Sequence, residues 1–443
     1  MFTSQSGLEL LQEALQHLDQ GFAHLPEAQV ALEQERLRPI LLEVAQRMRD
    51  NYPYAHPLYA GQMLKPPHPI ARLAYALAQF VNPNNHALDG GRASSELEKE
   101  AVAEIAQMLG WSTHLGHLTS GGTFANLEGL WIAGRLHPGR RILASEQAHY
   151  THQRICSVLQ IPFTAVASDE QARMDVAALR HHLEQGDVGT VVVTLGTSSV
   201  GAVDPLEQIL PLARQHGARV HVDAAYGGYF RLATQLHPTA AAAFAAVPGV
   251  DSLAIDPHKH GLQPYGCGCI LFRDPAVGHF YRHDSPYTYF SSDQLHLGEI
   301  SLECSRAGAS AVALWATQRM MPLVVGGELG SRLDLGLAAA QDLYAWLRQR
   351  PQHWQTLYAP SLDIVVWAPQ GTSASQVSDH SQQIFERAAQ LDLHLALTQV
   401  SDRRVWPQLN WDQPRLTCLR SCLMKPEHQQ WLPEICRRLE SAL

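Results

Sequence analysis

Between about residues 117 and 273, short apolar runs alternate with amphipathic stretches, and this alternation constrains the fold more than any other feature of the chain. The apolar runs are RRILAS, IPFTAVA, TVVVTL, ARVHVD, DSLAI and GCILFR; FANLEGLWIAGRL, DVAALRHHLEQ and PLEQILPLARQ lie between them. Near-continuous apolar strands separated by amphipathic helices predict an α/β fold with a mostly parallel sheet covered on both faces. In such sheets ligands bind beyond the carboxyl ends of the strands. Chemistry is therefore expected just after each run.

The flanks read differently. LELLQEALQHL and LRPILLEVAQRM place apolar residues at i, i+3 and i+4 and predict two N-terminal helices. The prolines of NYPYAHPLYAGQMLKPPHP, residues 51–69, forbid a long helix there, and IARLAYALAQF then predicts another. Ser95 and Glu98 make a capping-box pattern predicted to open the helix ELEKEAVAEIAQML. Beyond residue 305 the chain reads as mainly helical, followed by short strands (LDIVVWAP, RLTCLRSCLM) and a last helix near EHQQWLPEICRRLESAL. Three regions are expected: an N-terminal helical segment over 1–90, a large domain over 91–325, and a small C-terminal α+β domain over 326–443.

Composition removes several function classes. At 443 residues and 46% hydrophobic, the chain has ample material for a core. A net charge of -9 without any Lys/Arg block argues against a nucleic-acid or anionic-membrane surface. The stretch MFTSQSGLELLQEAL lacks the basic start and apolar centre of a secretory signal. The longest apolar run, Ala240 to Val250, is too short to span a bilayer. Seven scattered cysteines, an odd number, suit reduced thiols in the cytoplasm. Cys267 and Cys269 share one side of a predicted strand, where small core residues are the preferred reading and a metal pair the alternative.

Four motifs fall at strand ends or helix starts. In TSGGTFAN, Gly121 and Gly122 let backbone N–H groups approach a ligand, and the helix start that follows favours an anion. The Lys-Ser/Thr of a nucleotide loop is missing, and a plain glycine turn is the alternative. SEQAHYTHQRI puts His149 just after a strand, which taken singly reads as structural. In HVDAAYGGYF, Asp223 ends an apolar strand as either a loop cap or the partner of a buried cation, and the small Ala224 and Ala225 leave room for something flat. AIDPHKHGLQPYGCG puts Lys259 after an apolar run, where an unpartnered ammonium is costly. Together they offer an anion site, a stacking ring, a carboxylate for a ring cation and an amine for a carbonyl. Those are the groups pyridoxal phosphate needs.

The chain resembles the pyridoxal-dependent group II amino-acid decarboxylases, the family of the glutamate, tyrosine, aspartate and aromatic amino-acid decarboxylases. The likeness runs from HPLYAGQM and NPNNHALDGGRASSELEKE, through the four motifs, to SRAGASAVALW and LTCLRSCLMKPEH. It implies a large domain of PLP fold type I (aspartate-aminotransferase-like), pyridoxal 5'-phosphate as cofactor, an amino-acid substrate, and a homodimer with shared active sites. It further implies that Lys259 is joined to the cofactor aldehyde, that His149 stacks on the ring, that Asp223 pairs with the ring nitrogen and that Ala225 packs beneath it. Gly121, Gly122, Thr123 and His258 would hold the phosphate side. Ser198, in VTLGTSSVGAVDP, matches a hydroxyl near the cofactor, and Arg420, in CLRSCLM, an arginine that takes a substrate carboxylate.

For the proton donor to Cα, relatives use a tyrosine on a loop from the partner subunit. RHDSPYTYFSSDQLHLGEI offers Tyr287, preferred because it follows the proline, and Tyr289; the alternative is that both are packing aromatics. This segment is shorter than the loop of the animal aromatic enzymes, and Asp256 stands where some relatives have asparagine. Tyr52, Tyr54 and Tyr59 fall in a region that lines substrate pockets in relatives and favour an aromatic substrate, with Tyr59 assigned to substrate binding; Lys65, Arg92 and Arg306 keep an acidic one open. The expected reaction turns an L-amino acid, aromatic such as tyrosine or acidic such as aspartate or glutamate, into its amine and carbon dioxide. The rivals are carbon–carbon lysis or aldehyde formation on the same scaffold, a catalytically inactive binding protein, and a zinc hydrolase. The last is prompted by His221-x-Asp223 and His258-x-His260.

Overall fold

A computed structural model describes residues 5–26, 33–86, 90–281 and 301–443. The apolar runs form a seven-stranded sheet in the order β1-β7-β6-β5-β4-β2-β3. Its strands are β1 (Leu115–Thr119), β2 (Arg141–Ser145), β3 (Phe163–Val166), β4 (Val188–Thr194), β5 (Arg219–Ala224), β6 (Ser252–Ile255) and β7 (Gly268–Phe272). β7 alone runs against its neighbours; β2 to β6 are parallel. Every residue of β4, β6 and β7 is buried, which is why these strands read as continuous apolar runs.

Helix α5 (Gly122–Leu136) packs on one face, against β5, β6 and β7, while α8 (Leu206–Gln215) packs against β4 and β5. Parallel pairing brings the carboxyl ends to one edge: Thr194 stands opposite Asp223, and Asp223 opposite Ala254. β1 enters this edge with Thr119 opposite Gly268, where the backbone of Gly121 comes so close that a Cβ on Gly268 would lie 2.5 Å from Gly121 Cα. Only glycine fits there.

A second sheet, in the order β10-β11-β9-β8, is wholly antiparallel. It comprises β8 (Trp354–Thr356), β9 (Ile364–Pro369), β10 (Ala396–Val400) and β11 (Leu416–Cys422), covered by α11 (Glu328–Arg348), α12 (Ala374–Gln390) and α13 (His428–Ser441). The segment before α3 (Pro69–Gln79) ties the two sheets together. Ala60 N donates to His394 O and Ala60 O accepts from Cys422 N, both at 2.9 Å, while His68 N donates to Leu262 O at 2.8 Å.

One expectation fails. Ser95 and Glu98 do not cap a helix; α4 (Arg92–Met108) starts a turn earlier, with Gly91 at its N-cap, and both side chains are buried within it. Ser95 N donates to Gly91 O at 2.7 Å. Glu98 instead accepts from Arg306 Nη1 and Asn85 Nδ2, each at 2.6 Å, and from Leu118 N at 2.9 Å. A buried carboxylate needs such partners, and a long-range arginine outweighs the local pattern.

Candidate active site

A cavity of about 470 Å³ opens at the carboxyl edge of the large sheet. Gly121, Gly122, Thr123, His149, Ser198, Asp223, Ala225, His258 and Lys259 all line it. Arg420 and Tyr59 do not, and Tyr287 and Tyr289 lie outside the described residues.

Asp223 lies in β5 near its carboxyl end, with His152 Nε2 donating to its Oδ2 at 2.9 Å and Ala225 N donating to Oδ1 at 3.1 Å. Burial alone would raise its pKa. The hydrogen bond and charge of His152, the ammonium of Lys259 and the Ala225 amide outweigh burial and hold the carboxyl well below the usual carboxylate range. An ionised carboxylate in an apolar edge fits a partner that carries a ring N–H⁺. His152 belongs to α6 (Thr151–Leu159) and was not anticipated; its spacing of three from His149, across a helix start, was the available signal.

His149 precedes α6. The Thr151 hydroxyl pairs with its Nδ1, and Thr151 N donates to the same atom at 3.3 Å. Burial lowers its pKa, so the ring is uncharged and free to lie against another ring.

Lys259 sits in the turn after β6, its Nζ 3.0 Å from Asp256 Oδ2. Asp256 is 3% exposed, and its Oδ1 has no hydrogen-bond partner, an orphaned acceptor at the cavity wall. His258 lies 3.5 Å from Asp256 Oδ2 through Nε2 and accepts from Cys267 N at 3.3 Å. A Cβ at Gly122 would meet Asp256 Oδ2 at 2.9 Å and Ala225 Cβ at 3.2 Å, so the missing side chain is what keeps this corner open. Ser120 N is taken by Glu303 Oε2 at 2.9 Å. The first-turn amides of α5, at Gly122 and Thr123, are the donors left for an anion. Amine, ionised carboxylate, neutral imidazole and helix-start amides around one cavity fit pyridoxal phosphate.

Arg420 stands just behind the wall, donating to Ser198 O at 2.6 Å and to Gln62 Oε1. Tyr59 is buried among Tyr54, Tyr52 and His394, and its hydroxyl accepts from Gln62 N. It is linked to the site through Gln62, whose side chain accepts from Arg420. Of the cations that kept an acidic substrate open, Arg306 is committed to Glu98 and Leu118 O, Lys65 faces His260 and Met424 O, and Arg92 is exposed at the start of α4. Met63, Phe124 and Tyr265, none of them singled out from sequence, line the cavity beside these groups.

The motifs behind the hydrolase reading do not converge. His221 is enclosed by Asn126 and Ser252, at 2.9 and 2.8 Å. His258 faces the cavity, whereas His260 is fully buried between Tyr226 and Phe230.

The pyridoxal-dependent decarboxylase conserved domain matches residues 26–353. The L-tyrosine decarboxylase of Enterococcus faecium is 27% identical over a 464-residue alignment covering 80% of this chain and 76% of that one. A probable L-aspartate decarboxylase of Halobacterium salinarum is 35% identical over 259 residues, 58% of this chain and 70% of that one. Among solved structures, mouse CSAD matches with a TM-score of 0.78 at 19% identity, over 97% of this chain and 91% of that chain. Oryza sativa TDC with PLP and tryptamine gives 0.77 at 18% identity, over 100% and 99%. These likenesses assign the architecture to PLP fold type I.

Proposed function

This chain belongs to the pyridoxal-dependent decarboxylase family, a carboxy-lyase that uses pyridoxal phosphate on an amino acid, and we propose that its substrate is an aromatic L-amino acid, tyrosine foremost. One observation carries the choice. Apart from Lys259, no lysine or arginine lines the cavity among the described residues, and Met63, Phe124 and Tyr265 line it. Aromatic faces and a thioether favour an aromatic side chain over a second carboxylate. An acidic substrate is the second reading, favoured by Arg420 directly behind Ser198 and by the names of the Halobacterium relatives.

Bound pyridoxal phosphate supplies a sink for the electron pair released when the Cα–carboxylate bond breaks. The chain's own residues make that sink work. Asp223, kept ionised by His152, would favour a proton on the ring nitrogen. His149 and Ala225, both lining the cavity, would flank the cofactor ring. Lys259, whose Nζ lies 3.0 Å from Asp256 Oδ2, would carry the covalent link to the cofactor aldehyde. The amides of Gly122 and Thr123, the turn at Gly121 and the His258 ring would hold the phosphate. Ser198 would orient the substrate carboxylate, with Arg420 bracing Ser198 from behind the wall and Tyr59 bracing Gln62. Tyr287 is the donor assigned to Cα.

Two further parts of the reading concern setting. The unburied apolar faces of α1 (Gln5–Gln20) and α2 (Gln34–Met48) support a homodimer. Six buried, unpaired cysteines support a reducing, cytoplasmic environment.

The test is a screen of the twenty amino acids for released carbon dioxide, with product analysis. Tyrosine is expected to give tyramine and carbon dioxide in equal amounts. Release from aspartate or glutamate alone would overturn the aromatic assignment, and aldehyde without amine would overturn decarboxylation as the outcome. Borohydride trapping followed by digestion is expected to place the pyridoxyl group on Lys259.

A further inference from the structure

His260 follows the cavity lysine but turns the other way. Its ring is wholly buried, flanked edge-on by Tyr226 and Phe230 with both centroids at 4.8 Å. Nδ1 lies 3.4 Å from Lys65 Nζ, which also donates to Met424 O at 3.1 Å. Nε2 lies 3.3 Å from Asp363 Oδ2, within ion-pair distance, and neither of those two atoms has a hydrogen-bond partner among the described residues. Asp363 Oδ1 accepts from the Tyr226 hydroxyl at 2.6 Å, and Tyr226 is itself a wall of the cavity.

These groups come from separate parts of the chain. Lys65 belongs to the segment that ties the sheets together. Asp363 precedes β9 in the small sheet, where its carbonyl accepts from Leu423 N at 2.7 Å. His260 and Tyr226 belong to the large sheet's edge. Burying an ammonium or a carboxylate costs several kcal/mol unless a partner compensates it. Burial and the nearby cations Lys65 and Lys259 push His260 well below its ordinary value, so the imidazole is neutral. With an ammonium at Nδ1, the ring proton belongs on Nε2, facing Asp363. Cation, neutral ring and carboxylate thus cancel in charge.

We propose that Lys65, His260 and Asp363 form a positioning unit that fixes, from behind the cavity, both the turn carrying Lys259 and the Tyr226 wall. The docking of the N-terminal segment and the small sheet thereby sets where the Lys259 amine stands. This rests on the reading of Lys259 as the cofactor-linking residue.

The test uses purified holoenzyme and two readouts, the rate of cofactor loss into cofactor-free buffer followed by visible absorbance, and kcat against KM. His260→Phe and Asp363→Asn are expected to speed cofactor loss and lower kcat by about tenfold or more each, the scale of a small misplacement of reacting groups, with KM little changed. His260→Gln, which keeps an N–H toward Asp363, is expected to restore much of the loss. Lys65→Met combined with Asp363→Asn is expected to be milder than either alone, because no charge is then left uncompensated. Should the larger substitutions not fold, Tyr226→Phe removes only the hydroxyl and is expected to move both readouts in the same direction. Folded variants that keep wild-type cofactor release and kcat, whatever their melting temperature, overturn the proposal. A wild-type enzyme without an adduct at Lys259 overturns instead the reading on which it rests.

Discussion

The Asp223 carboxyl would be neutral if burial decided its state, and a neutral acid could not hold a proton on a ring nitrogen. His152, 2.9 Å away, is the largest influence against burial, so the charge at the centre of the site depends on a residue that need not touch the substrate. In His152→Leu the carboxyl keeps its burial and loses its main partner. A hydrogen bond to a charged group is worth about 1.5–3 kcal/mol, and the apoprotein is expected to lose that much near neutral pH. The sign of the pH dependence follows. In the wild type the depressed carboxyl stabilises the fold above the ordinary carboxylate value of about 4, and that contribution fades as pH falls below it. In the variant the carboxyl rises above the ordinary value, so it gains a proton, and relief, earlier on acidification. The gap between the two proteins should narrow from about pH 7 to about pH 4. Urea unfolding of both apoproteins across that window measures it, and a gap independent of pH would assign His152 to packing alone.

At the scale of elements, α4 shows what governs the parts of the fold that local patterns misread. Its Glu98 and Arg306 are 208 residues apart and almost wholly buried, 2.6 Å from each other. Removing one partner of such a pair leaves an uncompensated charge, at a cost of about 3–5 kcal/mol. Arg306→Met is expected to lower the unfolding free energy by that amount, seen as a lower urea midpoint with an unchanged slope, and adding Glu98→Gln should recover part of it; a second loss of equal size would mean that the two act independently. The same logic separates what sequence could and could not reveal. β4, β5 and β6 were legible because both their faces are covered, so that nearly every residue in them is buried and most are apolar. β1 was not, since Gly116 and His117 break its apolar pattern, and His117 is tolerated in the core only because Glu128, on α5, takes its Nε2 at 2.8 Å. The residues at or just past strand ends, Asp223, His149 and Lys259, and the glycines that open α5 could be picked out in the same way. His152 as the partner of Asp223, and Lys65 and Asp363 as partners of His260, could not. Their identities are plain in the chain, but their partners are set by how sheets and segments dock.

For the whole molecule, the question is what covers its N-terminus. α1 and α2 contain no buried residue, yet Leu8, Leu10, Leu37, Ile40, Leu41 and Val44 stand exposed on them. Helices of this length are marginal in water unless an apolar face is packed. Two apolar residues that line the cavity are exposed as well, Tyr265 at 55% and Phe124 at 39%. Apolar surface on this scale marks an interface, and a second copy of the chain would meet both needs at once, covering the helices and these two residues. The wild type is therefore expected to sediment as a dimer at micromolar concentration. Paired substitutions Ile40→Asp and Leu41→Asp, far from the cavity in sequence and bonded to none of its residues, should yield a folded monomer that retains cofactor poorly. If the monomer forms but holds cofactor and turns over as the dimer does, the second copy contributes no part of the site. If the wild type is itself an active monomer, the exposed faces of α1 and α2 must serve a different partner, and the cavity must be complete within one chain.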